Sequence, residues 1–261
     1  MHPILFEIAG WPVYAYGVLL AAAYLAGLQL AVVRARHAGL DAARVMDLGI
    51  YLIIAALIGA KLMLIATDFR YFTSHPRELL SLVRAGGVFY GGLIGAFLVG
   101  LWLVGRYKLP VWKTADMYAP GIALGHVVGR LGCLMAGCCY GRQTDVPWAI
   151  TFTSAVAQEN AGTPLNTPLH PTQLYDAGAE LLILILLLVF ERRGRPFPGR
   201  TFWLYILFYA ISRYIVEIYR GDPRGSVMGL STSQFVSVVT LPIAIVMLMR
   251  LRKNSGAVAA A

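Results

Sequence analysis

Residues 201–219 read TFWLYILFYAISRYIVEIY, a long apolar run with a guanidinium set inside it at Arg213. A helix needs about 20 mostly apolar residues to cross the hydrocarbon core of a bilayer, so this stretch reads as a transmembrane helix. A charged side chain near the bilayer centre costs about 2.5–3.5 kcal/mol on insertion scales, and Arg213 therefore needs a water-filled cavity, a partner or an anionic ligand. Tyr205, Tyr209, Arg213 and Glu217 follow at i+4 steps, flanked by Ser212, Val216 and Arg220. They form one polar stripe on an otherwise apolar helix, predicted to face the interior of a bundle. An Arg213–Glu217 ion pair alone would serve packing, whereas the tyrosines and Arg220 on the same face argue for a functional role.

Further apolar runs occupy about 14–33, 47–66, 88–106, 115–137, 173–190 and 231–251. Of the 261 residues, 58% are apolar and 13% charged, against roughly 45–50% and about 25% in soluble domains, which excludes an ordinary soluble globule. The expected fold class is all-α: a polytopic membrane protein of seven transmembrane helices, forming one integral-membrane domain over residues 1–261. Met1 to Val13 contains no Lys or Arg, and no small-residue cleavage pattern follows, so the first run is predicted to persist as a helix. The net charge of +9 is read as basic loops on the anionic cytoplasmic leaflet, with no nucleic-acid partner. With the N-terminus outside, the inner segments hold thirteen basic residues and the outer ones six, which predicts N-out, C-in. Residues 67–87 and 138–172 exceed a turn and fall on the outer side, where short extracytoplasmic arms or a small head are expected. Ser255 to Ala261 reads as a disordered tail.

A second intramembrane arginine, Arg130, follows His126 by one turn. Around it Gly121, Gly125, Gly129, Cys133 and Gly137 put a small residue at every fourth position, which lets a neighbouring helix approach closely. Spacing of this kind means packing; Arg130 beside a backbone loosened by Gly132, Gly137 and Gly141 adds a place for an anion. In FYGGLIG, Gly91, Gly92 and Gly95 follow Tyr90, again a close-approach pattern. His170 lies in LHPTQLYD, which reads as a helix start. Cys133, Cys138 and Cys139 are spaced C-x4-C-C. Structural metal sites draw on four N/S ligands, so no metal is expected; the thiols read as small buried apolar groups, with a disulfide or redox pair at the outer face as the alternative. No haem-attachment motif or other cofactor signature is present. The polar features converge on a cavity with an anionic ligand, and a phospholipid headgroup is the anion available to an intramembrane pocket.

Taken in order, YAYG around Tyr16, YGGLIG from Tyr90, GRLG from Gly129, GCCYGR from Gly137, LHPTQLYD from Leu169 and YAISRYIVEIYRGDP from Tyr209 resemble the bacterial prolipoprotein diacylglyceryl transferase family over most of the chain. The resemblance implies a multi-pass enzyme of the bacterial cytoplasmic (inner) membrane that needs no cofactor. Such an enzyme transfers the diacylglyceryl group of phosphatidylglycerol to the lipobox cysteine thiol of a preprolipoprotein, forming a thioether and releasing glycerol phosphate. By position, the family's phospholipid-binding arginine falls on Arg130 and its second essential arginine on Arg213. Tyr209 and Glu217 match as further catalytic positions, and Tyr90 is placed with them. Tyr16, Gly91, Gly92, Gly132, Gly141 and His170 fall in the matching motifs as substrate-binding positions. Three positions depart: Tyr90 stands where the family has His, Cys133 where it has Asn, and Cys138 where it has Glu.

The chemistry asks for an acceptor thiolate, a clamp on the anionic leaving group and shelter from water. Arg130 and Arg213 suit the clamp because each offers a planar fork to phosphate oxygens, and their field lowers the incoming thiol below its usual pKa of about 8.5. If a base is used, His126, His170 and Tyr90 are its candidates. Other readings are a diverged member acting on another phospholipid or acceptor, a transporter of an anionic solute, and a redox protein built on Cys138 and Cys139. A transporter would carry a half-to-half repeat, which the sequence lacks.

Overall fold

In the computed structural model, which describes residues 2–8, 10–75, 87–193 and 197–260, the apolar runs become helices with boundaries close to those expected. The helices are α1 (Ala15–His37), α2 (Ala42–Thr67), the short α3 (Phe69–Ser74), α4 (Phe89–Arg106), α5 (Val111–Ala136), the short α6 (Ala155–Ala161), α7 (Thr172–Arg192), α8 (Arg200–Glu217) and α9 (Thr232–Ala260). Among the described residues, six of them, α1, α2, α4, α5, α7 and α9, are long and apolar enough to cross a membrane. α8 matches α4 in length at 18 residues but carries Arg200, Arg213 and Glu217. The expected disordered tail instead continues α9 as helix to Ala260. Leu57, Ile58 and Leu62 on α2 and Phe97, Leu98 and Trp102 on α4 are exposed. An apolar surface of that extent suits acyl chains, not water.

The fold departs from all-α in three two-stranded antiparallel ladders among the described residues: β1 (Ile4–Ile8) with β2 (Trp11–Tyr14), β3 (Ile150–Thr151) with β4 (Pro168–Leu169), and β5 (Ser226–Val227) with β6 (Leu230–Ser231). These segments lie outside the helices, where backbone N–H and C=O groups must find partners elsewhere. The head expected at 138–172 is a packed one. Tyr140, Phe152 and Leu169 form its core, with Leu134, Ile150 and Leu165 against them. Of the other long connection, α3 is described, and residues 76–86 lie outside the described residues.

The chain divides into two compact units, Met1–Ala31 with Ala115–Ala261, and Val32–Thr114. In the first, Ala119 and Ala123 of α5, Ile183, Leu184 and Leu187 of α7, and Tyr205 of α8 form a buried cluster. The Asp116 carboxylate accepts the N–H groups of Gly199 at 2.7 Å and Phe202 at 2.9 Å, satisfying donors that the start of α8 would otherwise leave open. In the second unit, α4 packs on α2 at glycine. A Cβ on Gly91 would meet the backbone of Gly59, and one on Gly92 the backbone of Ala56. The FYGGLIG pattern is thus a helix contact, as its spacing suggested.

Candidate functional site

The arginines that the membrane makes expensive are gathered around one carboxylate. Asp176, one turn into α7, places Oδ2 3.2 Å from Arg130 Nε, 3.6 Å from Arg213 Nη1 and 3.7 Å from Arg220 Nη1. Each cation comes from a different segment: α5, α8 and the loop after α8. The periodicity of α8 then adds Glu217, whose Oε2 is 2.5 Å from Arg213 Nη2, and Ser233 of α9 accepts from the same nitrogen at 3.1 Å. Asp222 takes the Arg220 fork in bidentate fashion, with both bonds at 2.8 Å. Arg224 closes the set, 3.2 Å from Asp222 and 3.7 Å from Glu217. Burial alone would raise the Asp222 carboxyl, but the bonds and charge of Arg220, and then of Arg224, outweigh it and hold it below the usual carboxylate range.

The paired cluster therefore contains four guanidiniums and three carboxylates, a formal excess of one positive charge. Access is uneven. The Arg130 side chain is 20% exposed, Arg213 8% and Arg220 2%, and both terminal nitrogens of Arg213 face carboxylates of the cluster. Arg130 is the more open of the two arginines expected to face a ligand, and Arg213 is held between Asp176 and Glu217.

Beside the cluster lies a second polar set on the same helices. His126 Nδ1 is 2.8 Å from Glu180 Oε1 and 3.0 Å from the Tyr205 hydroxyl. The imidazole stacks on Tyr209 at 5.5 Å, and Tyr209 in turn stacks on Tyr205. Glu180 is buried, and its Oε2 has no hydrogen-bond partner among the described residues. Both polar contacts of the His126 ring are made by Nδ1, which meets Glu180 and Tyr205.

The loop after α5 closes over this region. Gly141 pairs with Arg220 as an isolated antiparallel bridge, Arg142 Nε donates to the Arg220 carbonyl at 3.1 Å, and the His170 N–H donates to the Arg142 carbonyl at 2.9 Å. Gly141 admits no side chain, because a Cβ there would run into His170. His170 Nδ1 meets the Tyr175 hydroxyl at 3.1 Å and its ring packs edge-on against Tyr219. Tyr16 lies over Gly132, where an added Cβ would meet the Tyr16 ring at 3.4 Å. Cys133, Cys138 and Cys139 are free thiols, so the expected disulfide alternative is not formed. Hydrogen bonds with the Cys133 and Cys138 thiols, then the charges of Arg220 and Arg130, outweigh burial and hold Cys139 below the ordinary thiol range.

Arg130, Arg213, Tyr209 and Glu217 thus come together as expected, and Tyr16, Gly132, Gly141 and His170 belong to the same unit. Tyr90, Gly91 and Gly92 belong to the other unit. Asp176 and Glu180 were missed as site residues. Their signal is the one that singled out α8: Gln173, Asp176 and Glu180 sit at three- and four-residue spacing inside an apolar run, and all three are buried.

The family model for prolipoprotein diacylglyceryl transferase matches residues 3–250. The chain is 37% identical to the phosphatidylglycerol--prolipoprotein diacylglyceryl transferase of Clostridium tetani, over 94% of this chain and 96% of that protein. It is 33% identical to enzyme 2 of that name from Clostridium perfringens, over 98% and 97% of the two chains, and 32% identical to the Thermus thermophilus enzyme, over 91% and 93%. A match of that extent, on a helical membrane chain whose intramembrane arginines surround one carboxylate, means that the chain belongs to the prolipoprotein diacylglyceryl transferase family.

Proposed function

We propose that this chain transfers the diacylglyceryl group of phosphatidylglycerol to the lipobox cysteine of a preprolipoprotein, acting as one transferase domain in the bacterial cytoplasmic membrane. The observation that carries this reading is the ion-pair cluster around Asp176, whose four guanidiniums exceed its three carboxylates by one positive charge, which suits a singly anionic phospholipid headgroup. Relatives named for this reaction, and covering nearly the whole chain, supply its substrate class. In this reading α8 is the seventh span, its charges tolerated because they face other helices, and the basic loops hold the N-terminus outside and the C-terminus inside. Nucleic acid has no part in it.

The bond formed is between the acceptor sulfur and the glyceryl carbon. The bond broken joins that carbon to the phosphate oxygen, which leaves with the electron pair as glycerol phosphate. Arg130 contacts the phosphate and stabilises the charge that grows on the leaving oxygen. Arg213 and Arg220 orient Arg130 through Asp176, and Glu217 holds Arg213 in place. The acceptor thiol passes its proton to His126 Nε2, with Glu180 fixing the tautomer through Nδ1 and stabilising the imidazolium that forms. Tyr209 supports the ring face of His126 between the two sets. Tyr16, Gly132, Gly141 and His170 line the lipid's path, while Tyr90, Gly91 and Gly92 belong to the other unit, where Gly91 and Gly92 serve the α2–α4 contact.

Purified protein incubated with phosphatidylglycerol and a lipobox peptide should give a lipidated peptide of altered gel mobility, and a Cys→Ser peptide should not. Absence of product with phosphatidylglycerol, but turnover with another phospholipid, would replace the donor; absence with every phospholipid would overturn the reading.

A further inference from the structure

The C-x4-C-C spacing fails the usual count for a tetrahedral metal centre, yet the loop after α5 brings its three sulfurs together. The Sγ atoms of Cys133, Cys138 and Cys139 all lie within 4.8 Å of one another, with Cys133 buried and the other two half-buried. Two backbone features bend the chain back to achieve this. Gly137 ends α5 at φ +80°, and Cys139 adopts φ +62°, a conformation that a non-glycine residue rarely takes. The carbonyls on either side of that turn are tied down from α7: Gln173 Nε2 donates to Cys138 O at 2.7 Å and Thr172 Oγ1 to Cys139 O at 2.8 Å, and both donor residues are fully buried. Packing small apolar groups does not need a strained turn held at two carbonyls.

Around the sulfurs the polar groups are cationic. Arg130 Nη1 points at Cys139 Sγ from 3.8 Å. Hard cations such as Mg²⁺ and Ca²⁺ select oxygen, and structural zinc takes a fourth ligand; three sulfurs with no carboxylate among them suit a soft ion of low coordination number, for which thiolates are the preferred donors.

We infer that Cys133, Cys138 and Cys139 form a three-thiolate binding site for a soft monovalent cation, cuprous copper being the member of that class in the protein repertoire. Binding replaces three S–H bonds with three metal–sulfur bonds and releases three protons to solvent, with no change of oxidation state. The site does not depend on the transfer reaction, and its test reads binding alone.

The full chain, purified in detergent under argon, is titrated with Cu(I) held in a chromogenic chelator, and copper-edge X-ray absorption is recorded on the loaded wild type. One ion per chain is expected, with three sulfur neighbours and no nitrogen or oxygen, and with all three cysteines protected from iodoacetamide. Each of Cys133→Ser, Cys138→Ser and Cys139→Ser should weaken binding at least a hundredfold. Retention of Cu(I) by the triple Ser variant, a first shell containing nitrogen or oxygen, or protection of only two thiols would overturn the site. Because the absorption and protection measurements use the wild-type chain, misfolding of a variant cannot decide the outcome.

Discussion

Replacing Asp176 by Asn removes one negative charge and keeps the side chain's size, so it isolates what the carboxylate does for the arginines. Its Oδ2 lies 3.2 Å from Arg130, 3.6 Å from Arg213 and 3.7 Å from Arg220, with the Asp176 side chain only 8% exposed. At such distances one pair is worth about 4 kcal/mol at the effective dielectric of a protein surface, and mutual repulsion among the guanidiniums offsets part of the total. Removing one partner of a buried ion pair costs about 3–5 kcal/mol, which for a chain of this size lowers Tm by about 10 °C. The formal excess in the cluster rises from one positive charge to two. An anionic lipid then supplies what the carboxylate did, and by linkage a ligand that binds the folded state raises its stability. Thermal unfolding in detergent should show Asp176→Asn melting about 10 °C below wild type with added phosphatidylcholine. Phosphatidylglycerol should recover more of that loss in the variant than it adds to wild type. Asp176→Glu should lie between the two. A variant that melts within about 2 °C of wild type, or one to which phosphatidylglycerol gives no larger shift, would refute the view that Asp176 balances the arginine charges.

Arg130→Ala should abolish transfer in the gel-shift assay and Arg130→Lys should recover little, because a point charge cannot make the bidentate phosphate contact; near-normal turnover of the Ala variant would remove the clamp. Arg213→Ala should also lose transfer, but with a fall in Tm beside it, since Arg213 is paired with Asp176 and Glu217 inside the bundle; loss of activity at unchanged Tm would make Arg213 a direct lipid contact instead. Transfer rate should fall sharply in His126→Gln, be lowered in Glu180→Gln, and change only modestly in His170→Gln and Tyr90→Phe, because a phenol is a poor general base. A thousandfold loss confined to Tyr90→Phe would move the base to Tyr90. In a background with the native cysteines replaced by Ser, a thiol at Gly162 should react with an impermeant reagent from outside the cell and one at Arg193 should not; the reverse pattern would invert the topology.

The helices were legible because the bilayer imposes one length and one composition on every span, and α1, α2, α4, α5 and α7 start and stop near the limits read from hydropathy. The β1–β2 hairpin and the β5–β6 turn were not legible, since short ladders outside the membrane carry no comparable demand. Arg130 and Arg213 stand out by the cost of a charge in hydrocarbon, and that same cost applies to Asp176, which the helix start in LHPTQLYD absorbs, and to Glu180 in the apolar run after it. What no periodicity supplies is which face meets which. The i+4 rule put Tyr209, Arg213 and Glu217 on one side of α8 but was silent on Asp176 arriving from α7.

That silence bears on mechanism. Read as a line of residues, Arg130 and Arg213 are two equivalent forks for phosphate. Read with their partners, they differ: an arginine inside a membrane needs a partner or a ligand, and Arg213 has partners in Glu217, Asp176 and Ser233 at 8% exposure. Arg130, at 20%, shares Asp176 with two other cations and otherwise faces the sulfur of Cys139. A carboxylate divided among three guanidiniums neutralises none of them fully, so positive potential remains at the most open of the three. In the proposed function, Arg130 is therefore the arginine that meets the incoming phosphate. In the proposed function the same division gives Arg213 and Arg220 a part as well: each competes with Arg130 for Asp176, so removing either should draw the carboxylate closer to Arg130 and weaken lipid binding.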